Sequence, residues 1–259
     1  SSGTANPLYK AADVNGDGTV DVADIATVIA IMAGKGDDQS GTDKAPKNAE
    51  AVDLGLPSGT KWANMNVGAL YPWGYGLLFA WGETKGYTSV PEGTPDDKGK
   101  YTMTDHSFNW ASYKWCNGTN DSMTKYCTDS AYGTEDDLTT LLATDDAAQA
   151  NWGGQWVMPT YDEMKELVDN TTCENTTLNG VKGWKYTSNI NGNSIFLPAA
   201  GYRDGDWLGY QSEYGAYWTA TLGSSKSNTA SGYLKTNDGQ YLINIVRYEG
   251  FSVRPVIRK

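Results

Sequence analysis

The chain has 259 residues and a formal net charge of −11. An acidic chain of this kind repels nucleic acid, with no Lys/Arg cluster as a local exception, and its apolar runs are too short to span a membrane. Thirty glycines, 17 tyrosines and 10 tryptophans against 4 phenylalanines describe loops and short strands around an aromatic core.

The first element is a metal loop. Residues 13–24 read DVNGDGTVDVAD and place Asp13, Asn15, Asp17, Asp21 and Asp24 at loop positions 1, 3, 5, 9 and 12. Thr19 offers its backbone carbonyl from position 7, and Gly18 sits at the sharp turn. Hard oxygens at alternate positions gather the roughly six to eight ligands that Ca²⁺ takes. Val22, Ile25, Val28, Ile29 and Met32 then recur at helical spacing, and Gly34 and Gly36 stop the helix. With Asp in place of Glu at position 12, residues 1–34 resemble one dockerin repeat of secreted bacterial proteins, half of a two-repeat module. The resemblance implies Ca²⁺ as the cofactor and, for a complete pair of repeats, a cohesin-like partner. Ser1-Ser2-Gly3 reads as a cloning remnant, so a first repeat is expected upstream.

Residues 35–49 (KGDDQSGTDKAPKNA) are polar with Gly and Pro and read as a linker to a domain over 50–259. Pro57-Ser58-Gly59 breaks two short apolar segments and predicts a first hairpin. Residues 86–133 read as a long irregular insertion. A first helix is expected over 135–142, over 145–151, or over both. A second begins at Thr160, where Thr160 and Glu163 form a capping box and Met164, Leu167 and Val168 a buried stripe. Strands are expected at 194–197, 217–220, 232–237, 240–247 and 252–257, with Asp238-Gly239 as a two-residue hairpin turn. The pattern is α+β: two short helices, then an antiparallel sheet. Cys116 and Cys127, separated by ten residues, could form a local disulfide that leaves Cys173 over.

Several blocks of the main domain occur in a recognisable order: VDLGLPSGTKWANMNVGA, FAWGET, residues 113–127 from YKWCNG to MTKYC, WGGQWVMPTYDEMKEL, NGNSIFLPAAGYRDG, YWTAT and GFSVRPV. Together they resemble the "major paralogous domain" described in Fibrobacter and abundant in Bacteroides-type gut bacteria. The resemblance covers about Glu50 to Lys259. It implies a C-type-lectin-like fold in a secreted or surface-attached bacterial protein, related in shape to formylglycine-generating enzymes and to the variable proteins of diversity-generating retroelements.

Catalysis finds little support. His106, the lone histidine, lies in a polar context and reads as a surface or loop residue, and no Gly-x-Ser-x-Gly elbow is present. The late cysteine pair of formylglycine-generating enzymes is missing after Cys173, and the lectin Glu-Pro-Asn and Gln-Pro-Asp motifs are missing too. A binding surface fits better. YRDGDWLGYQSEYGAYW combines rigid aromatics with small polar residues. Trp207, Tyr210 and Tyr214 are expected to be exposed, with Arg203, Asp204 and Asp206 giving directional contacts. Tyr217 and Trp218 are expected in the core, and Arg254 in a structural ion pair. The ligand is expected to be a glycan or a surface protein. Alternatives are a structural adhesin-tip subunit and a retroelement-diversified binder.

Overall fold

The computed structural model of the protein describes residues 44–91 and 93–259, of which Ala45–Lys259 form one compact unit. The calcium ligands Asp13, Asn15, Asp17, Thr19, Asp21 and Asp24, the repeat over 1–34 and most of the linker lie outside the described residues.

Among the described residues the backbone is mostly β, with two short α-helices and several antiparallel sheets. The strands are β1 (Ala51–Val52), β2 (Lys61–Ala63), β3 (Leu77–Phe79), β4 (Tyr87–Thr88), β5 (Tyr101–Thr102), β6 (Trp156–Val157), β7 (Thr171–Leu178), β8 (Val181–Ser188), β9 (Ser194–Pro198), β10 (Tyr202–Asp204), β11 (Trp207–Gly209), β12 (Gly215–Leu222), β13 (Thr229–Lys235), β14 (Gln240–Val246), β15 (Phe251–Ser252) and β16 (Val256–Ile257). The helices are α1 (Ala147–Trp152) and α2 (Tyr161–Asp169).

The central sheet has the order β14-β13-β12-β15-β3-β4. Strand β12 (GAYWTATL) is buried along nearly its whole length, so it reads as a run of aromatic and small residues rather than a polar–apolar alternation. Its period of two still sorts the side chains. Ala216, Trp218, Ala220 and Leu222 enter one core cluster with Trp81, Trp152 and Phe251. Tyr217 enters another with Trp62, Trp184 and Tyr186. Tyr217 and Trp218 are therefore core residues, each fully buried.

Helix α2 begins where the sequence places it: Thr160 caps it, and the reciprocal Glu163 bond completes the capping box. The other helix is shorter than expected. Asp146 caps α1 by accepting from Gln149 N. Residues 135–142 form no helix: Leu141 N donates to Ala220 O and Leu222 N to Thr139 O, so an extended ladder against β12 replaces a helix. Asp136 also turns its carboxylate to the Tyr126 and Cys127 amides. The β13–β14 hairpin has a four-residue loop instead of a two-residue one, because Lys235 faces Gln240 and Thr236 Oγ1 accepts from both the Asp238 and Gly239 amides. The expected last strand is split into β15 and β16, since Pro255 has no N–H to give a ladder.

The β7–β8 hairpin escapes the sequence reading. Its two-residue loop is Asn179-Gly180, with φ +47° and +83°, the left-handed pair that a type I′ turn needs.

Two buried arginines fasten the irregular segments. Arg247 donates to Tyr113 Oη, Tyr126 O, Ser227 O and Lys125 O, with its guanidinium 5.0 Å from the Trp81 ring centroid. Arg254 donates to Asn66 Oδ1, Ala63 O and Phe196 O. The expected ion pair at Arg254 is thus replaced by neutral acceptors. Burial with no carboxylate beside it lowers the Arg254 pKa to about 10.

Thr160→Ala is expected to lower the unfolding free energy by about 1 kcal/mol. Arg247→Ala is expected to cost on the order of 4 kcal/mol, since several buried acceptors each lose a donor worth about 1–3 kcal/mol. Urea denaturation of both variants checks the ranking, and equal losses contradict it.

Candidate functional site

The segment after Ala200 is a small hairpin rather than an open loop. Asp204 faces Trp207 across a two-residue turn, and β11 continues the pairing onto β5. Arg203 pairs with Gly250 on the other side of β10. Alternation then places Tyr202 and Asp204 on one face and Arg203 on the opposite one.

The exposed face carries an aromatic ladder. The rings of Tyr202 and Tyr210 stack at 5.5 Å and 13°, and those of Tyr210 and Tyr214 at 4.5 Å and 4°. Trp207 stands against Tyr202 at 5.4 Å and 62°, with Lys100 Nζ 3.6 Å from its ring centroid. Tyr202, Trp207, Tyr210 and Tyr214 are all half-buried. The ladder depends on a strained turn. Tyr210 and Ser212 have φ of +59° and +68°, rare for residues with a side chain. Both the Glu213 and Tyr214 amides donate back to Tyr210 O, which folds the chain so that residues 210 and 214 overlap. Gly201 makes this packing feasible: its φ is +70°, and a Cβ there would lie 2.2 Å from Gly209 O.

The predicted polar residues divide. Arg203 is turned away from the exposed face. It is fully buried, pairs with Asp105 at 2.7 Å, donates to His106 O and lies over the Phe108 ring. Asp206 is exposed at the turn, and its carbonyl accepts from Met103 N. Asp204 remains on the aromatic face beside a carboxyl that the sequence did not flag, Glu249. Only 8 % of Glu249 is exposed, and burial followed by the Asp204 charge pushes its pKa up to about 8. Burial raises the Tyr248 hydroxyl to about 12, with Asp204 and Glu249 adding to the shift. No local signal marks Glu249 or Lys100, because both reach the face through non-local pairing. Tyr75 was also missed. Its hydroxyl lies 3.2 Å from Ser212 Oγ, next to the stacked pair Tyr71 and Trp73.

His106 is half-buried and stacks on Tyr87 at 3.8 Å; burial, then Arg203, lowers its pKa. The Cys116–Cys127 disulfide is not formed. Cys116 Sγ faces Trp110 O at 3.1 Å and Cys127 Sγ faces Asp129 O at 3.2 Å, and Cys173 is free as well. Among the described residues, no group of three or more His, Cys, Asp or Glu could hold a metal ion, and no helix is long and apolar enough to cross a membrane.

A polar hollow of about 140 Å³ lies on the far side of the 210–214 turn, lined by Asn175, Thr177, Lys182, Trp184, Ser212 and Asn237. It is smaller than the roughly 300–1,000 Å³ of small-molecule pockets. A hollow of about 360 Å³ near Pro72, Leu178, Ile195 and Phe196 contains none of the predicted site residues. None of Tyr202, Trp207, Tyr210 and Tyr214 lines either hollow. Compared with known proteins, the chain matches no family model, no curated protein and no solved structure.

The raised Glu249 pKa has a consequence for stability. Between about 4.5 and about 8 the unfolded chain has released this proton and the folded chain keeps it. Its contribution is complete below the unfolded value and is lost as pH rises through about 8. Glu249→Gln is expected to flatten this slope and to gain on the order of 2 kcal/mol at pH 8 relative to pH 5. Urea midpoints at the two pH values measure it, and an unchanged difference between them sinks the assignment.

Proposed function

We propose that this is a secreted or cell-surface bacterial binding protein, without catalytic activity, that recognises a glycan. Its main domain is C-type-lectin-like, preceded by a dockerin-like Ca²⁺ module. The observation that carries the reading is the half-exposed ladder of Tyr202, Tyr210 and Tyr214 with Trp207, held by a strained turn. Rigid aromatics lose little conformational entropy on binding, and each tyrosine adds a hydroxyl to its apolar ring. Sugars present both apolar faces and hydroxyls, so a shallow aromatic comb suits them. Short strands around two short helices, with a long insertion, are compatible with the lectin-like fold.

On a glycan array the protein is expected to give selective signals that fall at least tenfold in Trp207→Ala and Tyr214→Ala while the thermal melt is kept. A stoichiometric protein partner from the native cell surface, with no glycan signal, supports the adhesin-subunit reading instead. The diversified-binder reading requires adenine-derived codons at these positions and a template repeat beside the gene.

For the calcium module, clustered carboxylates that repel one another are neutralised by the ion. Millimolar Ca²⁺ is expected to raise Tm by a few degrees, an effect lost in Asp13→Ala/Asp24→Ala. Calorimetry that detects no bound ion argues against the module.

A further inference from the structure

The pairing of Arg203 with Gly250 brings the neighbouring residues Asp204 and Glu249 opposite each other. Like charges directly opposite are destabilising, and the neutral Tyr248 hydroxyl, hydrogen-bonded to Asp204, relieves them only in part. Neither residue belongs to an ion pair among the described residues. The Glu249 carboxyl, nine-tenths buried, has no hydrogen-bond donor there, although its oxygens are not sealed from solvent. Arg203, next to Asp204 in sequence, points to the other face and is committed to Asp105, and Arg247, two residues before Glu249, is committed to the Tyr113 hydroxyl and three backbone carbonyls. Buried polar groups normally have partners. A carboxyl left without one, next to a second carboxyl and under an aromatic rim, is arranged for a positive group from outside.

We propose that Asp204 and Glu249, bordered by Tyr202, Trp207 and Tyr248, form a subsite for the primary ammonium group of an amino sugar. The inference rests on the glycan reading above. Two carboxyls fall short of the roughly six to eight oxygens that Ca²⁺ takes, and no third acidic residue, His or Cys completes a metal set among the described residues. An ammonium group has three donors and no acceptor, so two carboxylates and a phenol oxygen satisfy it. Aromatic faces add cation–π attraction. The Trp207 ring already draws one ammonium, that of Lys100 at 3.6 Å. The titratable and charged groups facing Glu249 are Asp204 and Tyr202 on β10 and Tyr248 in its own turn, with Lys100 beyond them on Trp207. The Glu249 proton, held near neutrality by burial and Asp204, leaves when an ammonium arrives. Binding of the charged amine thus releases a proton from Glu249 to buffer.

The test is calorimetry on the full chain with three probes: a fully deacetylated glucosamine tetrasaccharide, its fully N-acetylated counterpart, and butylammonium chloride. The deacetylated sugar is expected to bind at least tenfold tighter than the acetylated one, with proton release seen as a buffer-dependent heat. Glu249→Gln and Asp204→Asn are expected to abolish that preference, and circular dichroism confirms their fold. Butylammonium binding that depends on Glu249, with neither sugar bound, keeps the ammonium subsite and sinks the glycan reading. Equal or tighter binding of the acetylated sugar overturns the subsite and leaves the glycan reading standing. A preference that survives Glu249→Gln, or no binding of any probe, also overturns the subsite.

Discussion

Long stretches of this domain have no regular secondary structure, yet their backbone carbonyls are buried and need donors. Arg247 supplies them. Its guanidinium reaches three carbonyls from two segments, 125–126 and 227, together with the Tyr113 hydroxyl, and it lies against Trp81. A lysine could offer donors in this place, but not a planar fork that also packs flat on an indole. Arg254 does the same where β2, β9 and the chain end converge. Among the described residues no carboxylate pairs with either guanidinium, and each charge is held by oriented neutral dipoles. Within the irregular insertion, Arg247 and Arg203 supply the donors that a strand ladder would have used, Arg247 at 113 and 125–126 and Arg203 at 105–106.

Strand β12 turns that scaffold into a platform. Its even residues feed one core and Tyr217 another, so it cannot slip by one register without pulling Trp218 and Tyr217 out of both. Gly215 opens the strand directly after the 210–214 turn, and Tyr214 O accepts from Gly201 N. The aromatic ladder is thereby tied at one end to the most buried strand of the sheet. A half-exposed surface anchored this way is preorganised, which limits the ordering cost of binding.

What the sequence made legible was local. The capping box at Thr160 is a contact between neighbours, and it is present as read. The aromatic density after Tyr202 located the ladder, and the burial of Tyr217 and Trp218 followed from their place on a strand. The misreadings share a cause in non-local pairing. Residues 135–142 have helix-compatible composition, but the open edge of β12 offered a better set of hydrogen bonds. Arg203 reads as a surface contact until Asp105, 98 residues away, is placed beside it. The β7–β8 hairpin was missed because TTCENTTL is largely exposed and shows no apolar alternation, although its Asn-Gly turn was in plain view. Glu249 gave no signal at all, because its meaning depends on Asp204 lying across a bridge.

Unfavourable features are unevenly distributed, and their location is informative. Left-handed Tyr210 and Ser212, an unpaired carboxyl at Glu249 and a carboxyl opposite it all fall on one face. Directly beneath, Arg203 Nε is among the few buried polar atoms without a partner. Elsewhere the buried ionised groups are satisfied, as Asp145 is by Lys125 and Tyr126. A chain that was only folding would gain stability by relaxing the 210–214 turn and replacing Glu249 with a neutral residue. Strain of about 1–3 kcal/mol at each such position persists only where the surrounding structure enforces it. Here the enforcing contacts are the Tyr210 carbonyl turn and the bridge to Gly250. These contacts hold the three tyrosine rings near parallel and the two carboxyls together, an arrangement that stability alone does not explain and that the proposed recognition of an external group would.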